Sequence, residues 1–154
     1  MEQDIIKVQK AEDGGRSHSD ASANSGLRTP NSEHLNLKAE EGASLSSGSL
    51  RLYALPYGCV DLYNYDPLNR RCAVGVMVAT EHRRHGYALA MLHELRHLAT
   101  GNWQLHCLYA DIAATNAASI ALFAKAGYTQ CGLFKEWLKV NDNYIDSIRM
   151  QLML

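Results

Sequence analysis

The first fifty residues of this 154-residue chain contain no phenylalanine, tyrosine or tryptophan, and all of its 8 Tyr, 2 Phe and 2 Trp lie between positions 53 and 154. Aromatic side chains bury large areas and dominate packed cores. We therefore expect residues 1–50 to be a polar, disordered or irregular segment, and residues 51–154 to form the folded domain. The 5 basic and 8 acidic residues of the first segment give a net charge of −3, whereas 10 basic and 8 acidic residues give the second +2.

Other absences exclude whole classes of protein. No apolar run approaches the roughly 20 residues that cross a bilayer, and the start MEQDIIKVQK lacks the basic-then-apolar pattern of a secretory signal. We predict a cytoplasmic protein without a membrane partner. A formal net charge of −1 does not provide the basic excess of a nucleic-acid binder. The 4 cysteines are widely spaced without a C-x-x-C pair, which predicts reduced structural thiols and no metal site.

The pattern of apolar residues after position 50 predicts alternating strands and helices. Period-two alternation indicates half-buried strands, and the nearly continuous apolar run AVGVMVA is typical of a strand buried on both faces. The resulting order, β-β-β-α-β-α-β-β, predicts a mixed α/β (α+β) fold with a large antiparallel part. The predicted elements are strands at 49–55, 59–65 and 73–79, a helix at 87–99, a strand at 104–112, a helix from Asn116 to Gly127, and strands at 128–139 and 144–153, with a lone strand conceivable at 5–8.

A basic turn, Arg83-Arg84-His85-Gly86-Tyr87-Ala88, lies between the buried strand and the first helix. A helix N-terminus presents unpaired backbone N–H groups and the positive end of the helix dipole. Gly86 leaves room for an anion to approach the main chain, and two arginines add positive charge. The turn therefore predicts a pyrophosphate cradle. The alternative is a solvated basic turn whose glycine is needed only for its backbone angles.

Two motifs occur in a defined order on these elements. The basic turn has the form R-x-x-G-x-A and follows Val76-Met77-Val78, and further on comes NAASIALFAKAGY, residues 116–128. Together they resemble the GNAT superfamily of acetyl-CoA-dependent N-acetyltransferases. Residues 132–150 are similar to the final hairpin of the spermidine and ribosomal-protein N-terminal acetyltransferases in that superfamily. The resemblance covers about residues 51–153 and implies a GNAT-like, mostly antiparallel central sheet with flanking helices.

The resemblance also implies a donor site and a reaction. The main chain of Arg83, Arg84, His85, Gly86, Tyr87 and Ala88 is expected to hold the pyrophosphate of coenzyme A. Val76, Met77 and Val78 are expected to pair with the pantetheine arm like an added strand, and Asn116 either contacts that arm or serves as a plain N-cap. The implied reaction is direct transfer of acetyl from acetyl-CoA to a primary amine: a polyamine, a protein N-terminus or another small amine.

The chemistry needs a base that deprotonates the amine and N–H donors for the developing oxyanion. We expect Asp61 to act as the base, whereas Glu81 is better explained by helix electrostatics. Where many relatives carry an acidic tyrosine in the second helix, this chain has Phe123. Tyr128 is the candidate replacement acid and Tyr109 a second one. The alternative interpretation, favoured for each, is a packing aromatic, and coenzyme A can also leave as a thiolate.

Several alternatives stay open at the level of sequence. The family usually begins with a strand and two helices that build the acceptor wall, and residues 1–50 contain nothing similar, so a coenzyme-A-binding module with impaired catalysis is one alternative. The segment His93-Glu94-Leu95-Arg96-His97 matches the H-E-x-x-H pattern of zinc hydrolases. Its His93, Glu94 and His97 lie on the polar helix face and no G-x-x-H follows, which favours a solvated surface. A small core with exposed edges also favours a homodimer through the final strands.

Overall fold

The computed structural model describes Leu35 and residues 37–39, 43–45 and 48–154. The element order expected for residues 49–153 is confirmed, with a short 3₁₀ helix at Thr80–His82 and a two-residue strand in addition. The predicted strand at 5–8 and most of the polar segment lie outside the described residues. The elements are β1 Lys38–Ala39, β2 Ser49–Ala54, β3 Gly58–Asp66, β4 Arg71–Val78, α1 Tyr87–Gly101, β5 Cys107–Ala113, α2 Ala117–Lys125, β6 Thr129–Val140 and β7 Asn143–Met153.

All strands belong to one sheet in the order β1-β2-β3-β4-β5-β7-β6. Strands β4 and β5 are parallel, and every other neighbouring pair is antiparallel. The mixed, mostly antiparallel sheet expected from the sequence is therefore confirmed. Within the described part of the chain, no helix is both long and apolar enough to cross a bilayer.

The two helices pack against one face of the sheet. Helix α1 buries Met91, Leu92, Leu95 and Ala99, as its periodicity predicts, and leaves its polar side to solvent. The strand residues in the same core carry even numbers, because alternate side chains of a strand point to the same face. They include Leu50, Leu52, Val60, Leu62, Val74, Leu108, Ala110, Met150 and Leu152.

The opposite face, formed in β2, β4, β5 and β7 by the odd-numbered residues, carries Arg51, Asp61, Asp111 and Arg149 and is here named the open face. The register sets Asp61 of β3 between Arg51 of β2 and Gly75 of β4, and sets Asp111 of β5 opposite Arg149 of β7. Both helices that the structure describes lie on the other side of the sheet, and the four charged side chains named here are about one-third exposed. Met77, which also lies on the open face, is 54% exposed.

Local signals define both ends of α2. The side-chain oxygen of Asn116 accepts a hydrogen bond from the backbone N–H of Ser119 at 3.1 Å, which caps the helix. At the other end Gly127 adopts a φ of 93°, the left-handed conformation that glycine allows after a helix. The N-cap role considered for Asn116 is thus observed, and the predicted end of the helix at Gly127 is confirmed.

Candidate functional site

A cleft opens in the sheet where its two parallel strands separate. Strands β4 and β5 pair at Arg71–Cys107, Cys72–Leu108 and Ala73–Tyr109. Pairing stops there, although β4 continues to Val78 and β5 to Ala113. We call the gap between these strand ends the β4–β5 cleft, and the Ala73–Tyr109 pair its closed end.

The main chain of β4 presents unpaired groups to the cleft. The C=O of Arg70 accepts a hydrogen bond from His106 N–H at 2.7 Å on the β5 side, and Ala79 N–H donates to Tyr57 C=O at 2.9 Å on the β3 side. Backbone groups alternate sides along a strand. The N–H of Val74 completes the pairing at Ala73–Tyr109. The C=O of Val74, both groups of Val76 and the N–H of Val78 therefore point into the cleft, where an extended ligand could pair with them as an added strand.

The open end of the cleft leads to the basic turn. Arg83 Nε donates a hydrogen bond to the C=O of Val78 at 3.2 Å, which holds this guanidinium at the mouth of the cleft. Gly86 has a φ of 86° and directly precedes α1, whose first turn has neither a capping side chain nor an acidic residue. The first N–H groups of α1 therefore keep their positive potential for an external anion.

An aromatic cluster holds the turn against β3. The rings of Tyr57 and Tyr87 stack with their centroids 4.0 Å apart, and His82 meets Tyr57 edge-on at 5.3 Å. Loss of hydration beside Tyr57 raises the pKa of the Tyr87 hydroxyl. These contacts fix the position of the first turn of α1 relative to the end of β4. The helix N-terminus is therefore held in place beside the open end of the cleft.

A family model described as "Acetyltransferase (GNAT) domain" matches residues 18–129. The chain belongs to the GNAT acetyltransferase family. The match begins within the aromatic-free segment, so the GNAT pattern extends farther toward the N-terminus than the motifs quoted above.

The same family connection appears among known proteins and solved structures. The chain is 24% identical over 96 residues to a spermidine N(1)-acetyltransferase of Vibrio cholerae serotype O1, a match that covers 62% of this chain and 56% of that relative. A mutant form of the Vibrio cholerae spermidine N-acetyltransferase SpeG superimposes with a TM-score of 0.66 at 22% identity, covering 69% of this chain and 66% of the other. A dodecameric structure of the Vibrio cholerae enzyme gives 0.66 at 21% identity, with coverages of 71% and 67%. The chain thus spans just over half the length of its curated relative.

The predicted base, Asp61, is a residue of β3 whose side chain lies on the open face. It is paired with Gly75, near the middle of the neighbouring strand β4. Arg51 donates from Nε to one carboxylate oxygen of Asp61, and from Nη2 to the other at 3.0 Å. The neighbouring position on β4 is Gly75, where an added Cβ would lie 3.7 Å from Tyr63 Cε1 and 3.8 Å from the Asp61 Cβ. The absence of a side chain at Gly75 leaves space between Asp61 and the strand that borders the GNAT cleft.

The predicted acid, Tyr128, lies in the core instead. It is 3% exposed, and its ring meets that of Phe123 edge-on at 4.9 Å. Among the described residues its hydroxyl has no hydrogen-bond partner, and burial strongly raises its pKa. The burial weighs against proton donation into the cleft, so the acid role of Tyr128 stays a prediction. Tyr109, the second candidate, lies at the closed end of the cleft.

The remaining donor-site residues border the cleft. Val76 and Val78 are half-buried, and Met77 is exposed on the open face. Asn116 follows β5 directly, with its N–H donating to the C=O of Ala113 at 2.8 Å, so it lies at the rim opposite the basic turn.

The H-E-x-x-H segment does not assemble a metal site in the described residues. His93 and His97 are exposed on α1, and the described part of the chain contains no cluster of three or more His, Cys, Asp or Glu suited to a metal ion. These positions agree with the solvated surface favoured above, and the comparisons identify the acetyltransferase family instead of a zinc hydrolase.

One polar network on the open face was not predicted. Arg149 donates from Nε and Nη2 to the two carboxylate oxygens of Asp111, each at 2.7 Å. Its guanidinium carbon lies 4.6 Å from the ring centre of Tyr109 and 4.9 Å from that of Phe134. The partners are 38 positions apart, so the only available signal would have been the register between β5 and β7, which the sequence alone does not provide.

Proposed function

We propose that the protein transfers an acetyl group from acetyl-CoA to a primary amine. The observation that supports this most directly is the β4–β5 cleft, whose free main-chain edge ends at the uncapped, basic N-terminus of α1. An anion at the helix and an extended chain along the strand are the two binding modes that this geometry offers. Acetyl-CoA carries both groups in one molecule.

In the proposed complex the pyrophosphate lies against the main chain of Arg83–Ala88. The pantetheine arm pairs with β4 from Val78 toward Val74, which brings the thioester close to the Ala73–Tyr109 end of the cleft. A cleft-facing N–H of β4 stabilises the oxyanion that forms when the amine attacks the thioester carbonyl. The C–N bond forms, the C–S bond breaks and coenzyme A leaves as its thiolate, while the nitrogen releases its surplus proton to water and the neutral amide results.

Asp61 is the proposed base. It faces the gap at Gly75, and its bidentate contact with Arg51 fixes the orientation of the carboxylate. Since the two oxygens each receive one hydrogen bond, a lone pair stays available for a proton relayed through water. The proton of the attacking ammonium passes to this carboxylate, and the neutral amine then attacks.

A homodimer through the final strands is proposed as the minimal assembly. Strand β6 is an edge of the sheet, and the β6–β7 hairpin exposes Leu133, Trp137, Val140 and Tyr144 at 47%, 62%, 47% and 60%. Exposed apolar side chains on an unpaired edge favour association. The spermidine acetyltransferase of Vibrio cholerae occurs as a dodecamer. The cytoplasmic location stays a prediction.

Isothermal titration calorimetry with acetyl-CoA tests donor binding. We expect Gly86→Glu to weaken binding at least tenfold, because it places a side chain and a negative charge where the pyrophosphate lies. The matched control is His97→Glu, which adds the same charge on the exposed face of α1 and is expected to bind normally.

Thiol release from acetyl-CoA, measured over amine acceptors, then tests catalysis. Absence of acetyl-CoA binding at millimolar concentration would refute the proposal. Binding without thiol release for any amine would support the coenzyme-A-binding module. Equal affinity in Gly86→Glu and the wild-type protein would overturn the placement of the pyrophosphate.

A further inference from the structure

A polar cavity of about 270 Å³ lies beside the closed end of the β4–β5 cleft. Tyr109 belongs to both features: it pairs with Ala73 where the cleft ends, and it lines the cavity. Arg71 and Arg149 line the cavity too, and so do Asn64, Asp66 and Gln151. We call it the Arg71–Arg149 pocket. In the proposed reaction the thioester lies at the closed end, so a substituent of the attacking amine can extend into this pocket.

Both arginines of the Arg71–Arg149 pocket retain free hydrogen-bond donors. Of the five N–H groups on a guanidinium, Arg149 commits one from Nε and one from Nη2 to Asp111. Arg71 donates from Nε to one oxygen of Asp66 at 3.1 Å, and its Nη2 lies 3.1 Å from the same oxygen. Each arginine therefore retains N–H groups for a ligand, and the side chains of Tyr109 and Gln151 add further donors.

The aspartate in the pocket is already engaged. Asp66 accepts from the backbone N–H of Asn69 at 3.0 Å, from its side-chain amide at 2.8 Å and from Arg71. The hydrogen bonds from Asn69, with a smaller effect from Arg71, lower the pKa of Asp66. The two arginines are balanced by two carboxylates, Asp66 and Asp111, so the pocket offers free N–H donors without a net charge. The ammonium groups of a polycation carry only donors and cannot accept from these N–H groups, so a polycation is poorly matched to the pocket.

Arg149 is held in one orientation. Its bidentate contact with Asp111 and its position between the rings of Tyr109 and Phe134 fix the plane of the guanidinium. Asp111 occupies the Nε–Nη2 edge, and the Nη1–Nη2 edge remains for end-on, bidentate recognition of a carboxylate. Because the guanidinium is preorganised, little side-chain entropy is lost when it binds a ligand.

We propose that the acceptor amine carries a carboxylate that binds in the Arg71–Arg149 pocket. The acceptor is then an amino acid or a short peptide, and spermidine is a poor substrate. This inference rests on the proposed acetyl transfer and specifies its second substrate. The acceptor would then differ from that of the relatives named for spermidine, which are 21–24% identical to this chain.

The test compares paired acceptors that differ only in the carboxylate. Thiol release from acetyl-CoA is measured with γ-aminobutyrate against butylamine, with glycylglycine against glycylglycine amide, and with spermidine. We expect kcat/KM to be at least tenfold higher for one or both carboxylate-bearing amines than for their partners, since a hydrogen bond to a charged group changes affinity by about that factor.

Substitutions in the pocket test whether its arginines cause the preference for carboxylate-bearing amines. Arg71→Gln is expected to raise KM for the preferred acceptor about tenfold and to lower kcat/KM much more for that acceptor than for its uncharged partner. Arg149→Lys keeps the positive charge but loses the planar guanidinium and its paired N–H donors. We expect a smaller increase in KM for the same acceptor than in Arg71→Gln. Arg96→Gln, on the exposed side of α1, is the control and is expected to behave as the wild-type protein.

Preferred acetylation of spermidine or butylamine would overturn the proposal, as would an equal effect of Arg71→Gln on both members of a pair. Failure of the acetyl transfer itself is distinguishable, because no amine would then release thiol. In that event, saturation-transfer NMR with glycylglycine and coenzyme A tests whether the carboxylate binds in the pocket. Binding that is lost in Arg71→Gln supports it, and absence of binding in the wild-type protein refutes it.

Discussion

At the scale of single residues, the open face of the sheet concentrates the chemistry. Asp61 lies on β3 and Asp111 on β5, the two strands that flank β4, and each is held by an arginine from an adjacent strand, Arg51 and Arg149. Partly exposed ion pairs of this kind contribute modestly to stability, typically about 0–1 kcal/mol. Their more important effect is orientation, because they fix carboxylates and guanidinium groups beside the cleft before any substrate binds.

Replacing Asp61 tests the base directly. We expect Asp61→Asn to lower kcat about a hundredfold, the usual order for loss of a general base, while the affinity for acetyl-CoA stays unchanged. The measurement is steady-state kinetics with calorimetry on the same samples, and Asp142→Asn in the exposed β6–β7 turn is the matched control. Unchanged kcat in Asp61→Asn would show that another group removes the proton.

The phenol of Tyr128 allows a second test at this scale. Because the hydroxyl is buried without a partner, we expect Tyr128→Phe to keep kcat within about twofold and to fold at least as stably, since an unsatisfied buried polar group is costly. Kinetics and urea unfolding of the two proteins check both points. A hundredfold loss of kcat with unchanged stability would establish Tyr128 as the acid.

Burial also predicts which cysteine thiols react. Burial raises the pKa of Cys72 to about 11, and this side chain is fully buried, whereas Cys131 is exposed. The thiolate is the reactive form. We expect iodoacetamide at pH 8 to modify Cys131 first and Cys72 only after unfolding, as mass spectrometry of peptides would show. Early modification of Cys72 would mean that the sheet opens locally.

At the scale of elements, the β6–β7 hairpin contains a bulge that one carboxylate stabilises. The register jumps between Phe134–Ser147 and Leu138–Ile145, so three residues of β6 oppose Asp146 alone. Asp146 accepts from Glu136 N–H at 2.9 Å and from Lys135 Nζ at 2.8 Å. A carboxylate that accepts a backbone N–H in a bulge satisfies a donor that the sheet leaves unpaired.

The bulge makes a prediction for acid stability. The contact with Lys135, followed by that with Glu136 N–H, lowers the pKa of Asp146 below its ordinary value of 3.8. A lowered native pKa contributes stability above that ordinary value, and the contribution is lost as the pH falls through the native pKa. We expect the free energy of unfolding, measured with urea between pH 6 and pH 2, to fall less with decreasing pH in Asp146→Asn than in the wild-type protein. Identical pH profiles would contradict this role.

At the scale of the whole molecule, the sheet has an apolar edge that a second copy could cover. Trp137 stands out from the bulge at 62% exposure, and its ring lies 5.1 Å from that of Phe134. We expect Trp137→Lys to shift sedimentation equilibrium toward the monomer. Leu68→Lys is the matched control, because Leu68 is 90% exposed in the turn between β3 and β4 and far from the hairpin in the sheet order. Equal self-association of the three proteins would exclude the hairpin as the interface.

Much of this architecture was predictable because it depends on neighbours in the sequence. The apolar face of α1, the left-handed Gly86 and Gly127, and the N-cap at Asn116 follow from patterns only a few residues long. The position of β5 was predicted less well, since Gln104–His106 precede the strand that begins at Cys107. The residue Gln104 has a φ of 48°, and such a local bend leaves no clear mark in an alternating apolar pattern.

The sequence by itself therefore determined the order of the elements, the polar and apolar faces of α1 and the basic turn that begins it. Only the tertiary structure decided that β4 and β5 separate after Ala73–Tyr109, and that Asp111 and Arg149 meet beside Tyr109. The physical reason is that capping, periodicity and backbone angles are local, whereas strand register joins residues far apart in the chain and is set by the packing of the whole sheet.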